Sequence, residues 1–211
     1  MNTKFLPLLL AALPMTALAE PAAPAKTSAK PAAKTALKVT SSAFTNNGTI
    51  PAEYTCEGAQ TTPPLAWANV PKNARAIAVL VEDPDAPNGA FTHWLVTGIP
   101  SSITSLASGA TLPEGAMVAK NGKGDTGYFG PCPPSGRHHY FFHVYALDTT
   151  VPGPATKEDF LSSISGHILA EGQLIGMYQK SATAKETKPA DKPATDAKPE
   201  TKPAGKPTKT R

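Results

Sequence analysis

The run from Gly130 to Tyr145, Gly-Pro-Cys-Pro-Pro-Ser-Gly-Arg-His-His-Tyr-Phe-Phe-His-Val-Tyr, limits what the chain can fold into more than any other stretch. Three prolines and two glycines in its first seven residues make a stiff loop, and the aromatic and β-branched residues after them make a strand. Successive side chains of a strand point to opposite faces. His138, Tyr140, Phe142 and Val144 therefore share one face, and His139, Phe141, His143 and Tyr145 share the other. Both faces are bulky, which places the strand inside a sandwich or between a sheet and covering helices, with polar groups tolerated near its ends. His138 and Tyr140 stand at such an end and face whatever the Pro-Gly loop encloses.

The apolar residues between Leu37 and Lys180 fall in short runs cut by Gly, Pro and Asn: Leu37 to Phe44, Leu65 to Trp67, Ala76 to Val81, Phe91 to Ile99 and His138 to Leu147. That spacing predicts an antiparallel β protein. Pro63-Pro64-Leu65-Ala66-Trp67 reads as an edge element that delivers a core tryptophan. Thr156, with Asp159 three residues on, predicts a capping box that opens a helix over Lys157 to Ser165, with Gly166 as its stop. A second helix is expected from about His167 to Tyr178, where Ile168, Gly172, Ile175 and Gly176 fall on adjacent turns. The expected class is a mainly β, two-sheet sandwich with short C-terminal helices.

The two ends of the 211-residue chain are different in kind. Lys4, the apolar run Phe5 to Leu13 and Ala17-Leu18-Ala19 before Glu20 read as a secretory signal peptide over residues 1–19. No later stretch approaches the roughly 20 apolar residues of a membrane helix. Residues 20–36 and 181–211 are built almost wholly from Ala, Pro, Lys, Thr and acidic residues, contain nothing to bury and are expected to be a disordered linker and a disordered tail. Residues 37–180, which leave one domain's worth of packing, carry 8 Lys+Arg against 11 Asp+Glu, whereas the tail carries 8 against 4. A mildly acidic body thus bears a basic tail, read first as a solvated spacer and, in a sharper reading, as a binder of anionic envelope polymers or lipid head groups. Nucleic acid is disfavoured as a partner, because the tail lysines have no interleaved aromatics. Cys56 and Cys132 follow the leader, and in an oxidising compartment they are expected to form a disulfide worth roughly 4 kcal/mol by loop-closure entropy. With no CxxC and two distant cysteines, neither a redox centre nor a zinc signature is indicated, and no cofactor is expected.

The chemistry-bearing stretch is Ala76-Ile-Ala-Val-Leu-Val-Glu-Asp-Pro-Asp-Ala-Pro-Asn-Gly89, a strand that runs into a turn with acidic residues at its end. Asp83 and Asp85 stand there, and the next strand opens with Phe91-Thr92-His93-Trp94. Alternation puts His93, Leu95 and Thr97 on one face and Trp94 and Val96 on the other. If the two strands are neighbours, His93 faces the same end as Asp83. Two imidazoles and a phenol offer donors to an anion, and Asp83 can fix a histidine tautomer and raise its pKa. The same groups allow a two-histidine, one-carboxylate metal site through Asp83, His93 and His138, or a hydrolase built on Ser135 with His138 or His93 and Asp83. No Gly-x-Ser-x-Gly elbow supports the latter. His139, His143 and His167 read as structural.

Asp83-Pro-Asp-Ala-Pro87, His93-Trp94 and Gly130-Pro-Cys-Pro-Pro-Ser-Gly136 followed by His138-His139-Tyr140 resemble the phosphatidylethanolamine-binding protein family, in its bacterial Raf-kinase-inhibitor-like branch. Thr62-Pro-Pro-Leu-Ala-Trp67, Tyr145-Ala-Leu-Asp148 and Gly166-His-Ile-Leu-Ala170 fit the same pattern, so the likeness covers roughly residues 37–180. The resemblance implies a large antiparallel sheet packed on a smaller one and a small pocket for phosphate-like anions and phospholipid head groups. Carried over position by position, that pocket holds Asp83, Asp85, His93, Pro131, Gly136, His138 and Tyr140. The segment Gly124-Asp-Thr-Gly-Tyr-Phe129 departs from the family's Asn-Asp-Phe-Gly run, which puts the pocket rim in question. The resulting expectation is a periplasmic or secreted binding or regulatory protein without turnover. A second reading is an inhibitor of an envelope protease or other enzyme through the pocket rim. Kinase inhibition is implied by the family name alone and suits an exported chain poorly.

Overall fold

Ala76-Ile-Ala-Val-Leu-Val81 has no polar side chain to send to water, so a strand made from it must be covered on both faces. The fold is assembled around that requirement. The structure, a computed structural model, describes residues 35–154 and 156–181; the expected signal peptide, nearly all of the expected linker and the basic tail from Ala182 lie outside the described residues. In chain order the elements are β1 (Thr35–Ala36), β2 (Lys38–Thr40), β3 (Gly48–Thr49), a 3-10 turn (Ala52–Tyr54), β4 (Leu65–Ala68), β5 (Ala76–Asp83), β6 (Phe91–Pro100), β7 (Ser105–Leu106), β8 (Met117–Val118), β9 (Arg137–Leu147), α1 (Lys157–Ser163) and β10 (Ile168–Gln179). The ordered sheet thus takes in Thr35–Ala36, two residues ahead of the expected boundary.

The larger sheet runs β1-β10-β9-β5-β6-β8, with β3 also on β10, and the smaller runs β2-β4-β7. Long antiparallel ladders form its body: Ile168↔Leu147 to Gln179↔Arg137, Ala76↔Leu147 to Glu82↔Phe141, and Ala76↔Pro100 to Asp83↔Phe91. The short β1 and β3 join β10 in parallel, so the large sheet is mixed at that edge rather than wholly antiparallel. Between the sheets lies the main core, with Val79, Val81, Val96, Phe142 and Val144 facing Leu65, Trp67 and Val39. The other face of β5 and β6 sends Ala78, Leu80 and Leu95 against Phe160 and Ile164 of the α1 segment, which answers the demand for two-sided cover. His138, Tyr140, Phe142 and Val144 are buried as the alternation predicts, and residues of the other face are half-buried or exposed.

Further expectations are corrected. Leu65–Trp67 is the middle strand of the small sheet, flanked by β2 and β7, and not an edge; Trp67 is buried there with its indole N–H donated to Ile103 O at 3.0 Å. The helix opens at Lys157 as read and ends at Ser163, two residues short of the expected Ser165, with Thr156 and Asp159 exchanging both capping hydrogen bonds and Gly166 at φ +84° beyond its end. The second helix does not exist. His167–Tyr178 becomes the strand β10, and α1 is the one α-helix among the described residues. The spacing that suggested a helix also reads with period two, because Ala170, Leu174, Gly176 and Tyr178 are buried while Glu171, Gln173 and Gln179 are exposed. A strand of twelve residues bonded to β9 along its whole length outweighs a helix carrying two interior glycines.

Those glycines are needed for close approach. A Cβ on Gly172 would stand 2.2 Å from Leu37 O, where the chain between β1 and β2 donates Leu37 N–H to Glu171 O at 2.9 Å. A Cβ on Gly176 would stand 2.5 Å from Ile50 Cγ1. Gly172→Ala is expected to destabilise the fold by about 2 kcal/mol through backbone displacement. Denaturant unfolding checks this, and an unchanged midpoint contradicts the packing argument.

Candidate functional site

The site lies where β5 ends, β6 begins and β9 begins. Glu82 pairs with Phe141 across β5/β9, and Asp83 pairs with Phe91 across β5/β6, so three chain segments deliver their polar ends to one corner. Asp83 is 4% exposed and His138 7%, and a carboxylate so far from water must be hydrogen-bonded to persist. It is. Oδ1 accepts from Asp85 N–H at 2.9 Å, which shapes the Pro84-Asp85 turn, and Oδ2 accepts from His138 Nδ1 at 2.8 Å. Since Nδ1–H of His138 donates to the carboxylate, Nε2 is left for a ligand.

His93 reaches the corner through a fault in the ladder. Val81 pairs with Trp94 and Glu82 with Thr92, which leaves His93 without an opposite residue. This is a β-bulge, a device that re-aims a side chain. It breaks the simple alternation expected for β6: Trp94 and Val96 enter the core between the sheets and Leu95 the core under α1, while His93 packs edge-on to Tyr140 of the inter-sheet core with ring centroids 5.2 Å apart. Phe129 O lies 2.6 Å from His93 Nδ1, and His93 O accepts from Phe129 N–H at 2.9 Å. A carbonyl oxygen can only accept, so Nδ1 carries the proton and Nε2 of the neutral ring is a lone pair. Burial pushes the His93 pKa below the ordinary imidazole range, against the opposing pull of the Phe129 carbonyl and the Asp83 charge. The expected pair of N–H donors is therefore corrected at His93: its N–H is spent inside the protein, and the ring is neutral at neutral pH.

Above these groups is a cavity of about 190 Å³. Asp83, His93 and His138 supply its polar surface together with Lys123, and Ala86, Pro87, Phe91, Phe129, Cys132 and Pro134 its apolar walls. A space of this size takes a small ligand group. Cys132 is joined to Cys56 with Cα atoms 5.4 Å apart, which confirms the expected disulfide. The bridge, Cys56 N–H to Pro131 O at 3.1 Å and Tyr128 O–H to Tyr54 O at 3.0 Å fasten the pocket wall to the segment after β3.

Of the seven residues expected at the pocket, Asp83, His93 and His138 line it. Tyr140 lies beneath, fully buried; burial and the neighbouring Asp83 charge push its pKa up, and its hydroxyl has no hydrogen-bond partner of good geometry among the described residues. Asp85 turns away to His139, accepting from its Nδ1 at 2.7 Å and its backbone N–H at 2.8 Å, so it tethers the rim to β9. Pro131 is buried behind the wall with its carbonyl used by Cys56, and Gly136, at φ +68°, makes the exposed turn before β9. Ser135 is exposed on that turn and outside the lining, so the hydrolase constellation is not assembled. No cluster of three His, Cys, Asp or Glu side chains suited to a metal occurs among the described residues. Phe91, Phe129 and Lys123 were not anticipated. Phe91 shares alternation with His93 and could have been read from it; Lys123 has no sequence signal.

With this geometry in place, comparison with known proteins is decisive. The sequence pattern of the phosphatidylethanolamine-binding protein family matches residues 40–179. The chain belongs to the phosphatidylethanolamine-binding protein family. A UPF0098 protein of Methanothermobacter thermautotrophicus is 46% identical over 145 residues, covering 65% of this chain and 95% of that one, and its name states no activity. A phosphatidylethanolamine-binding protein homologue of Chlamydia trachomatis superposes with TM-score 0.66 at 38% identity, over 69% of this chain and 99% of that one. Escherichia coli YbcL, described as a new member of the mammalian family, gives 0.65 at 31% identity over 69% and 99%. In this family member no helix among the described residues is long and apolar enough to cross a membrane.

The depressed His93 pKa fixes a sign for pH dependence. The unfolded chain holds the proton more tightly than the folded one, so this contribution to stability is complete above about pH 6.5 and declines as pH falls through the window below it. An NMR titration is expected to place the His93 midpoint below 6.5. A midpoint above 6.5 contradicts the burial argument.

Proposed function

We propose that this family member is an exported binding protein whose pocket takes phosphate-like anions, including phospholipid head groups. The observation that carries the reading is the cavity itself: two imidazoles with their Nδ1 atoms tied down and their Nε2 atoms left for a ligand, beside one lysine, inside apolar walls. A small pocket with few convergent polar groups and mostly apolar lining is the ordinary form of a ligand site. Export is supported by the leader-like pattern over residues 1–19 and by a bridged cysteine pair, which persists in oxidising compartments. The basic tail would then meet anionic envelope polymers.

Binding without turnover suits the wall chemistry, because Ser135 is exposed and lies outside the pocket lining that holds both imidazoles, and Asp83 is occupied by Asp85 and His138. Calorimetric titration with phosphorylethanolamine tests the reading. His138→Gln keeps a side-chain amide near Asp83 and is expected to weaken binding about tenfold, the scale of one hydrogen bond to a charged group, while thermal unfolding shifts little. Equal affinity of the wild-type protein and the variant would remove the imidazole from the account.

A further inference from the structure

An anion entering this cavity meets a difficulty. The Asp83 carboxylate stands in the wall, His93 is neutral with a lone pair on its free nitrogen, and His138 donates its Nδ1–H to Asp83 in a hydrogen bond. Asp83 offsets any charge on the ring it bonds and the neutral His93 adds none, so the three together offer no net positive charge to a phosphate. Among the lining residues Lys123 alone carries a permanent one, and its ammonium rests 5.1 Å from the centroid of the Phe129 ring, itself a pocket wall.

The backbone that presents Lys123 is held firmly. Asn121 is buried, and its Oδ1 accepts from Lys123 N–H at 2.9 Å and Asp125 N–H at 3.3 Å while its Nδ2 donates to Gly127 O at 3.2 Å. Asn121 N–H donates to Asp125 O at 2.8 Å, and Gly122 N–H donates to Thr92 O at 2.8 Å, one residue from His93. A Cβ on Gly122 would meet the Phe91 ring at 2.5 Å, so this loop is seated directly on the pocket wall. The ammonium is thus parked over an aromatic face at the mouth, where cation–π attraction is weak enough for a phosphate to displace.

We propose that Lys123, on its Asn121-clamped loop, is the residue that recognises phosphate at this pocket and makes it select phosphomonoesters over phosphodiesters. A monoester dianion gains more from one fixed cation than a diester monoanion does, and its three free oxygens give the ammonium more acceptors than the two of a diester. The proposal rests on the anion-binding reading above, and the test separates the two.

Lys123 is exposed, so its truncation leaves the core intact. Calorimetry at pH 7.5 on the full chain would compare phosphorylethanolamine, a monoester, with glycerophosphorylethanolamine, a diester. The wild-type protein is expected to bind the monoester at least tenfold more tightly. Lys123→Ala should weaken the monoester about tenfold and the diester less than threefold, and Lys123→Arg should restore most of the loss. Monoester affinity unchanged in Lys123→Ala, with wild-type binding intact, overturns the role of Lys123 and leaves the pocket reading standing. No binding of either ester by the wild-type protein overturns both.

Discussion

The buried hydrogen bond between Asp83 and His138 is the interaction on which the rest of the site depends. A carboxylate 4% exposed is tolerated only when its oxygens are engaged, and both are: one by the backbone of the turn it begins, one by the imidazole of the neighbouring strand. Fixing the first sets the Pro84–Pro87 rim. Fixing the second sets the ring of His138 with Nδ1 inward and Nε2 outward. The sandwich serves this by putting β5 in the middle of the large sheet, paired to β6 on one side and β9 on the other.

Two further constraints finish the pocket. The bulge at His93 brings a second ring to the same corner, and Phe129 holds it there through both backbone and side chain. The Cys56–Cys132 bridge fastens the proline-rich wall to a segment 76 residues away. Elsewhere the fold uses charge differently: Glu82 on the opposite face accepts from Lys157 Nζ at 3.0 Å and lies 3.4 Å from His143 Nε2. Those two partners hold its pKa down to about 2 and tie α1 to the sheet.

Much of this was legible in the residues. The alternation of His138 to Val144 and the apolar run Ala76 to Val81 named the central strands and their burial, and Thr156 with Asp159 named the helix start. The family likeness supplied Asp83, His93 and His138 together. What failed did so for physical reasons. In β10, glycines at 172 and 176 remove the side chains that would distinguish a period of two from one of 3.6, and only the contacts with Leu37 and Ile50 explain them. The bulge at His93 is a ladder irregularity with no compositional mark. Asp85, Pro131, Gly136 and Tyr140 carry family motif positions yet shape the pocket from outside it, because a motif gives residue order and not which way a side chain turns. Lys123 stands just before the segment 124–129 that departs from the family pattern and outside every motif that carries the likeness, so no likeness could point to it.

Long-range proton–nitrogen NMR correlations of the histidine rings at pH 7.5 test the central claim most directly. Both His93 and His138 should carry a proton on Nδ1, and added phosphorylethanolamine should move their Nε2 signals while leaving His167, which pairs with Asp148 at the opposite end of the β9–β10 ladder, unmoved. A bare Nδ1 on His138, or Nε2 signals indifferent to the ligand, would contradict an Asp83-held imidazole at the floor of a phosphate pocket.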